Sequence, residues 1–236
     1  MKDTKISSIS VVIPTLQEEK YIATILSKLI KMNPSVEVIV VDGRSEDGTV
    51  EVARCFTDKV YQISERGIAK ARNYGAKQAN GDILIFLDAD VDPPPDFIEK
   101  VLKTFSDNTV VGATCAIMPS RPRLIETIFF YLYNLVIRFC THIRPHSRGE
   151  FFAVRKKTFL QVGGFNEDMP CLEDHDLAYR LSRYGRFVFI RGLTVYESLR
   201  RFRKLGFLRV LGTWVIDYIA YILRGKPVSG VWKPVR

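Results

Sequence analysis

Two aspartates, Asp88 and Asp90, close the apolar run at residues 83–87, and positions i and i+2 of an extended chain point to one face. Carboxylates held side by side repel near neutral pH unless a cation lies beside them. Mg2+ or Mn2+ takes such oxygen ligands together with phosphate oxygens. A solvated turn is the competing reading, because Asp92 followed by Pro93, Pro94 and Pro95 is also loop chemistry. Asp42 closes a second apolar run ahead of Gly43, where a carboxylate suits hydrogen bonds to a ribose or a base, or a tight turn. A third acidic group, Glu173 and Asp174 followed by His175 and Asp176, opens an amphipathic segment that runs to Tyr184. Carboxylates in a first helical turn are worth about 0.3–1 kcal/mol through the helix dipole, which is the plainer account. Asp174, ionised at pH 7, also suits a general base.

Other chemistries lack their residues. Neither GxGxxG nor GxxxxGK[ST] occurs, which argues against a Rossmann dehydrogenase and a P-loop NTPase. His142, His146 and His175 show no HExxH spacing and are expected to be structural, and no GxSxG or Cys-His signature is present. Cys55, Cys115, Cys140 and Cys171 lie far apart with no CxxC pair, which favours a reducing compartment over a zinc site or a disulfide framework. The N-terminal apolar run is too short for a signal peptide, so retention in the cytoplasm is expected.

The acidic groups need elements to hold them. Residues 9–13 form a continuous β-branched run ended by Pro14-Thr15, the pattern of a strand buried on both faces. Residues 18–32 place Ile22, Ile25, Leu26, Leu29 and Ile30 at helical spacing, stopped by Asn33-Pro34. Strands at 36–41, 59–63 and 83–87 alternate with helices from about Asp47 and over 68–79. The alternation predicts a mostly parallel α/β sheet with helices on both faces, whose ligands sit beyond the carboxyl ends of the strands. Thr15, Glu18, Asp42, Asp88 and Asp90 all fall at those ends.

The 236 residues are 47% hydrophobic, enough for a folded core in one elaborated domain. The net charge of +9 is uneven: residues 1–118 carry 14 Lys+Arg against 17 Asp+Glu, and residues 119–236 carry 21 against 9. A basic half seeks an anionic partner. Segments 124–143 and 205–223 are strongly apolar, yet Glu126, Arg138, Arg209 and Asp217 interrupt them, so neither reads as a spanning helix. In the second, Arg209, Thr213, Asp217 and Arg224 share a narrow stripe and apolar residues fill much of the remaining circumference. With Arg200, Arg201, Arg203, Lys204, Arg224 and Lys226 flanking it, the segment reads as a peripheral attachment to an anionic membrane. A core helix or a homodimer interface is the alternative. Nucleic acid fits poorly, since the basic residues accompany long aliphatic runs.

Six stretches, in order, resemble the family 2 glycosyltransferases: 11–19 (VVIPTLQEE), 41–49 (VDGRSEDGT), 67–75 (GIAKARNYG), 80–90 (NGDILIFLDAD), 163–167 (GGFNE) and 173–177 (EDHDL). The resemblance covers roughly residues 8–190. It implies the GT-A fold, with a nucleotide-sugar-binding half at 1–118, an acceptor-binding half of the same domain at 119–195 and a basic amphipathic C-terminal segment at 196–236. It further implies inverting transfer from a UDP- or GDP-sugar, with Mg2+ or Mn2+ on Asp90 and Asp88. Pro14, Thr15, Glu18, Asp42, Gly43 and Ala89 match donor positions, with Arg66 and Arg72 near the diphosphate. Asp174 matches the catalytic base, and Gly149, Glu150, Glu173 and His175 match the acceptor side. In residues 198–202 (SLRRF) only Arg201 fits the Gln-x-x-Arg-Trp motif of processive members, so a phosphate contact at Arg201 is implied and processive synthesis is not. Gln17 stands where the family usually has Asn, and Arg44 where Asp or Asn is common. The expected acceptor is a lipid-linked or other glycan acceptor at the inner membrane face. A non-catalytic nucleotide-sugar-binding scaffold is the rival reading. A sugar nucleotidyltransferase is a weaker one, because its glycine-rich, arginine-containing N-terminal loop is missing.

Overall fold

A computed structural model of the chain describes residues 8–230. Residues 1–7, which bear on the expected absence of a leader, and 231–236, the end of the expected basic segment, lie outside the described residues. The order is β1 (Ile9–Thr15), α1 (Glu19–Met32), β2 (Glu37–Asp42), α2 (Thr49–Arg54), β3 (Val60–Gln62), α3 (Ile68–Gln78), β4 (Ile83–Leu87), β5 (Val91–Asp92) and α4 (Phe97–Phe105). It continues through β6 (Val110–Pro119), α5 (Leu124–Cys140), β7 (Phe151–Arg155), α6 (Lys156–Gln161), α7 (Glu173–Leu181), β8 (Arg186–Glu197), α8 (Arg200–Leu205) and α9 (Phe207–Arg224).

The β-branched runs become the middle of the sheet because both of their faces are covered. Val11, Ile13, Val38, Val40, Ile83, Ile85 and Leu87 point to the layer of α1, α2 and α4. Their alternates Val12, Ile39, Val41, Leu84 and Phe86 point to the layer of α3, α6 and α7. Each such fully buried side chain contributes about 1.5–3 kcal/mol. In α1, Ile22, Ile25, Leu26 and Leu29 face inward as the spacing predicts, while Ile30 turns outward. Helix α3 approaches the sheet closely because Gly75 has no side chain: a Cβ there would lie 2.4 Å from Val12 Cγ1.

The sheet order is β3-β2-β1-β4-β7-β6-β8-β5. Among the described residues, β3, β2, β1 and β4 run parallel, as the alternation predicts. The sheet is mostly parallel, as expected, with antiparallel pairings entering beyond β4. Strand β7 is antiparallel to both β4 and β6, and β5 is antiparallel to β8, while β6 and β8 are parallel. The reversal arises because α5 and the segment after it do not carry the chain back across the sheet. Strand β7 therefore starts at the carboxyl ends of its neighbours, which puts residues 148–150 at the rim where Asp42 and Asp88 emerge. One sheet spans residues 9–197, so the two halves read from the sequence share it.

Helices α5, α8 and α9 meet through Phe129, Phe130, Phe202, Phe207, Val210 and Trp214. Their outer faces are apolar. Leu124, Ile125, Ile128, Leu132, Val136 and Phe139 of α5 are exposed, as are Leu208, Val215, Ile216, Ile219 and Leu223 of α9. Arg121, Arg123, Arg138, Arg203, Lys204, Arg209, Arg224 and Lys226, also exposed, belong to these helices and their flanks. Asp217 is the inward member of the predicted polar stripe. It is buried and accepts the backbone N–H groups of Val228 and Ser229 at 3.0 and 2.7 Å. No helix among the described residues is long and apolar enough to cross a membrane.

Candidate active site

The loops after β1 and β2 are tied together at Asp42. Thr15 Oγ1 donates to Asp42 Oδ1 at 3.0 Å, the Ser45 N–H donates to Oδ2 at 2.7 Å, and Ser45 Oγ donates to Oδ1 at 2.5 Å. The Gly43 N–H donates to the Thr15 carbonyl at 2.8 Å, and Pro14 lies beside Val41 in the sheet. Asp42 is fully buried, and its carboxylate ties the two loops to each other. Both loops pass through left-handed backbone at non-glycine residues, Gln17 (φ 63°) and Arg44 (φ 68°). Asn and Asp tolerate that conformation best, which accounts physically for the residue types expected at these two positions.

Strand β4 ends at Leu87 and Ala89-Asp90 form a turn, so the extended-chain expectation of two parallel carboxylates stops one residue short. Asp88 and Asp90 instead meet different arginines. Arg72, on α3 and only 1% exposed, donates from Nη2 to Asp88 Oδ1 at 2.9 Å and to the Gly149 carbonyl at 2.8 Å. Its Nη1 donates to Glu173 Oε1 at 2.8 Å. Arg72 is therefore an internal tie of the site, joining Asp88, Gly149 and Glu173. A Cβ at Gly149 would come within 2.8 Å of Nη2, so this glycine makes room for the guanidinium. Burial pushes the Asp88 carboxyl up to about 7, against the pull of Arg72 and with the push of Glu150 and Asp90. Asp90 pairs with Arg200 Nε at 3.0 Å, and the same guanidinium grips Glu18.

Helix α7 starts from Leu172 in left-handed backbone (φ 62°), strain of the kind that clusters at functional sites. Glu173, Asp174 and His175 are all buried, so the helix dipole alone does not account for them. Asp174 Oδ1 accepts the His175 backbone N–H at 2.8 Å and lies 2.9 Å from His175 Nδ1. Burial pushes Asp174 up, but His175 and Arg72 outweigh it and hold the carboxylate below its ordinary range. Burial and the Asp174 charge raise Glu173. His146 is satisfied on both sides, by the Arg144 carbonyl at 2.5 Å and by the Tyr218 hydroxyl.

A second buried cluster is centred on Arg148. Arg148 Nη2 donates to Glu150 Oε1 at 2.8 Å and to Glu197 Oε1 at 2.5 Å. Its guanidinium lies over Phe130, Tyr133 and Trp214 at 5.0, 5.4 and 5.9 Å, so the cleft rim and the α5–α9 surface share one packing unit. Burial drives Glu197 far up, and Arg148 holds Glu150 down. Arg201 is held near Asp88, Asp90 and Glu150, whose charges act on it. Arg66 is not brought into the cluster; it is half-exposed and pairs with Glu46 at 3.4 Å. Arg148 and Glu197 escape sequence reasoning, although an acid closing a long strand at 197 is a visible signal, and Arg200, expected in the basic flank of the apolar segment, turns instead onto Glu18 and Asp90.

Among the described residues no group of three or more His, Cys, Asp or Glu side chains is arranged to hold a metal ion. Two carboxylates, Asp88 and Asp90, fit a hard divalent ion that completes its shell with water and phosphate oxygens. They do not fit an ion caged by protein alone.

The sequence profile described as glycosyl transferase family 2 matches residues 10–163. An uncharacterized glycosyltransferase of Haemophilus influenzae is 28% identical over 76% of this chain and 63% of its own length. The dolichol-phosphate mannosyltransferase of Pyrococcus furiosus is 27% identical over 92% of this chain and 63% of its own length. The chain thus spans a little under two thirds of these relatives. A mannosyltransferase from Pyrobaculum calidifontis, solved with GDP-Man and Mn2+, superposes with a TM-score of 0.76 at 24% identity, covering 94% of this chain and 65% of that one.

Proposed function

Because the chain belongs to glycosyl transferase family 2, matched over residues 10–163, we propose that it moves a sugar, with inversion, from a UDP- or GDP-sugar to a lipid-linked acceptor at the inner face of a membrane. The observation that carries this reading is the joining of two acidic groups by Arg72, which bonds Asp88 at the end of β4 and Glu173 at the start of α7. Negative charge grows on the departing diphosphate and positive charge on the sugar ring in such a transfer. A site with a metal-binding pair at one end and a fixed carboxylate at the other stabilises both. A divalent ion bound at Asp90 and Asp88 neutralises the leaving group.

Asp174 stays ionised at the opposite side, with its orientation fixed by His175. A carboxylate held below its ordinary range is a weak base. It suits an acceptor that is already an anionic nucleophile, such as a lipid phosphate, better than a hydroxyl. The name of the Pyrococcus furiosus relative supports a polyprenyl-type acceptor. The apolar outer faces of α5 and α9, flanked by Arg and Lys, support peripheral contact with anionic lipid, each basic residue near such a surface adding about 1 kcal/mol.

The test is transfer of radiolabelled sugar from GDP-mannose or UDP-glucose, with Mn2+, into anionic vesicles containing a polyprenyl phosphate. Label in the lipid fraction and sedimentation of the protein with the vesicles are expected, and Asp90→Ala should lower transfer by about 100-fold or more. Nucleotide release that is indifferent to the lipid phosphate contradicts the acceptor. A concentration-dependent dimer without vesicle binding assigns the apolar face to a second copy of the chain.

A further inference from the structure

Arg200 is the first residue of α8, yet its guanidinium is engaged with residues from the opposite half of the chain. Nη1 donates to Glu18 Oε2 at 2.8 Å, Nη2 donates to Glu18 Oε1 at 2.5 Å, and Nε lies 3.0 Å from Asp90 Oδ2. The guanidinium also lies over the Tyr21 ring at 4.7 Å. The three side chains are only 22%, 13% and 15% exposed, so water screens these contacts weakly. Glu18 and Asp90 come from the start of α1 and the turn after β4, two acidic positions 72 residues apart whose mutual repulsion Arg200 relieves.

We propose that Arg200 is the resident counter-cation of the donor site: it holds Glu18 and Asp90 together and competes with the divalent ion for Asp90. The inference rests on the reading of Asp90 as a metal ligand. Arg200 is a positioning residue here and takes no part in bond making. A fixed positive charge 3 Å from the ligand carboxylate opposes a second cation, and the opposition weakens once a diphosphate adds negative charge beside both. Metal alone therefore binds poorly, and metal with nucleotide binds well. The charge on Arg200 makes the site wait for its donor.

Mn2+ binding to the full chain, measured by calorimetry or by the electron paramagnetic resonance of the free ion, tests this without any turnover. Arg200→Gln should bind Mn2+ in the absence of nucleotide about tenfold more tightly than wild type, and the enhancement by UDP or GDP should shrink. Arg200→Lys, which keeps the charge and loses the fork, should fall between the two. Glu18→Gln should act in the opposite direction, because it leaves the whole guanidinium charge to Asp90. The effect should diminish with added salt. A folded Arg200→Gln protein that binds Mn2+ with wild-type affinity, or more weakly, overturns the proposal and leaves Arg200 a structural tie. Wild-type Mn2+ binding that survives Asp90→Ala overturns the metal reading itself, and the proposal with it.

Discussion

At the scale of single residues, the chain departs from the most comfortable choice in ways that can be measured. Arg44 is exposed and holds left-handed backbone with φ 68°, where a long side chain costs about 1–2 kcal/mol relative to a residue suited to it. Arg44→Asn should raise the unfolding free energy by about 0.5–1 kcal/mol, read as a higher urea midpoint; an unchanged or lower midpoint contradicts the strain. The carboxylates of the site were legible as residues, because Asp88, Asp90, Glu173 and Asp174 stand at element ends. Arg72 was legible as a charge but not as the tie between them, since Glu173 is 101 positions away and only the folded chain brings the two within 2.8 Å. Arg200 was hidden by its neighbour Arg201, which carries the motif match, while the structure gives Arg200 the contacts with Asp90 and Glu18.

Among the elements, β1, β2 and β4 could be read directly because β-branched residues run without interruption where both faces are buried. The direction of β7 could not. Alternation of side chains is the same for a parallel and an antiparallel strand, and what decides is where α5 leaves the chain. The same loop carries a pH-sensitive contact. His146 Nδ1 meets the Arg144 carbonyl and Nε2 meets the Tyr218 hydroxyl of α9, an arrangement that a neutral ring satisfies by donating from Nδ1 and accepting at Nε2. Burial and the neighbouring His175 lower its pKa to about 4. Below about 6.5 the unfolded chain takes up a proton that the folded chain refuses, so this contribution is whole above 6.5 and lost as pH falls toward 4. Wild type should lose on the order of 2 kcal/mol relative to His146→Gln between pH 7.5 and pH 5. Parallel pH profiles of the two proteins in urea unfolding contradict the buried neutral ring.

For the molecule as a whole, the uneven charge visible in the sequence acquires a place: the acidic half carries Glu18, Asp42, Asp88 and Asp90 at the strand ends, and the basic half carries α5, α8 and α9 with their apolar outer faces. Arg148 and Arg200 connect the two, one beneath the aromatic cluster of α5 and α9 and the other on Asp90. The proposed binding of a nucleotide-sugar at Asp90 and Asp88 through a divalent ion is tested by a thermal-shift comparison of wild type and Asp90→Ala with UDP-, GDP- and dTDP-sugars. A ligand at about 100 times its dissociation constant adds about 2.7 kcal/mol to the folded state, a rise of roughly 5–10 °C for a chain of this size. That rise is expected for one nucleotide class, only with Mn2+ or Mg2+ present and only in wild type. An equal rise without metal, or in Asp90→Ala, contradicts it.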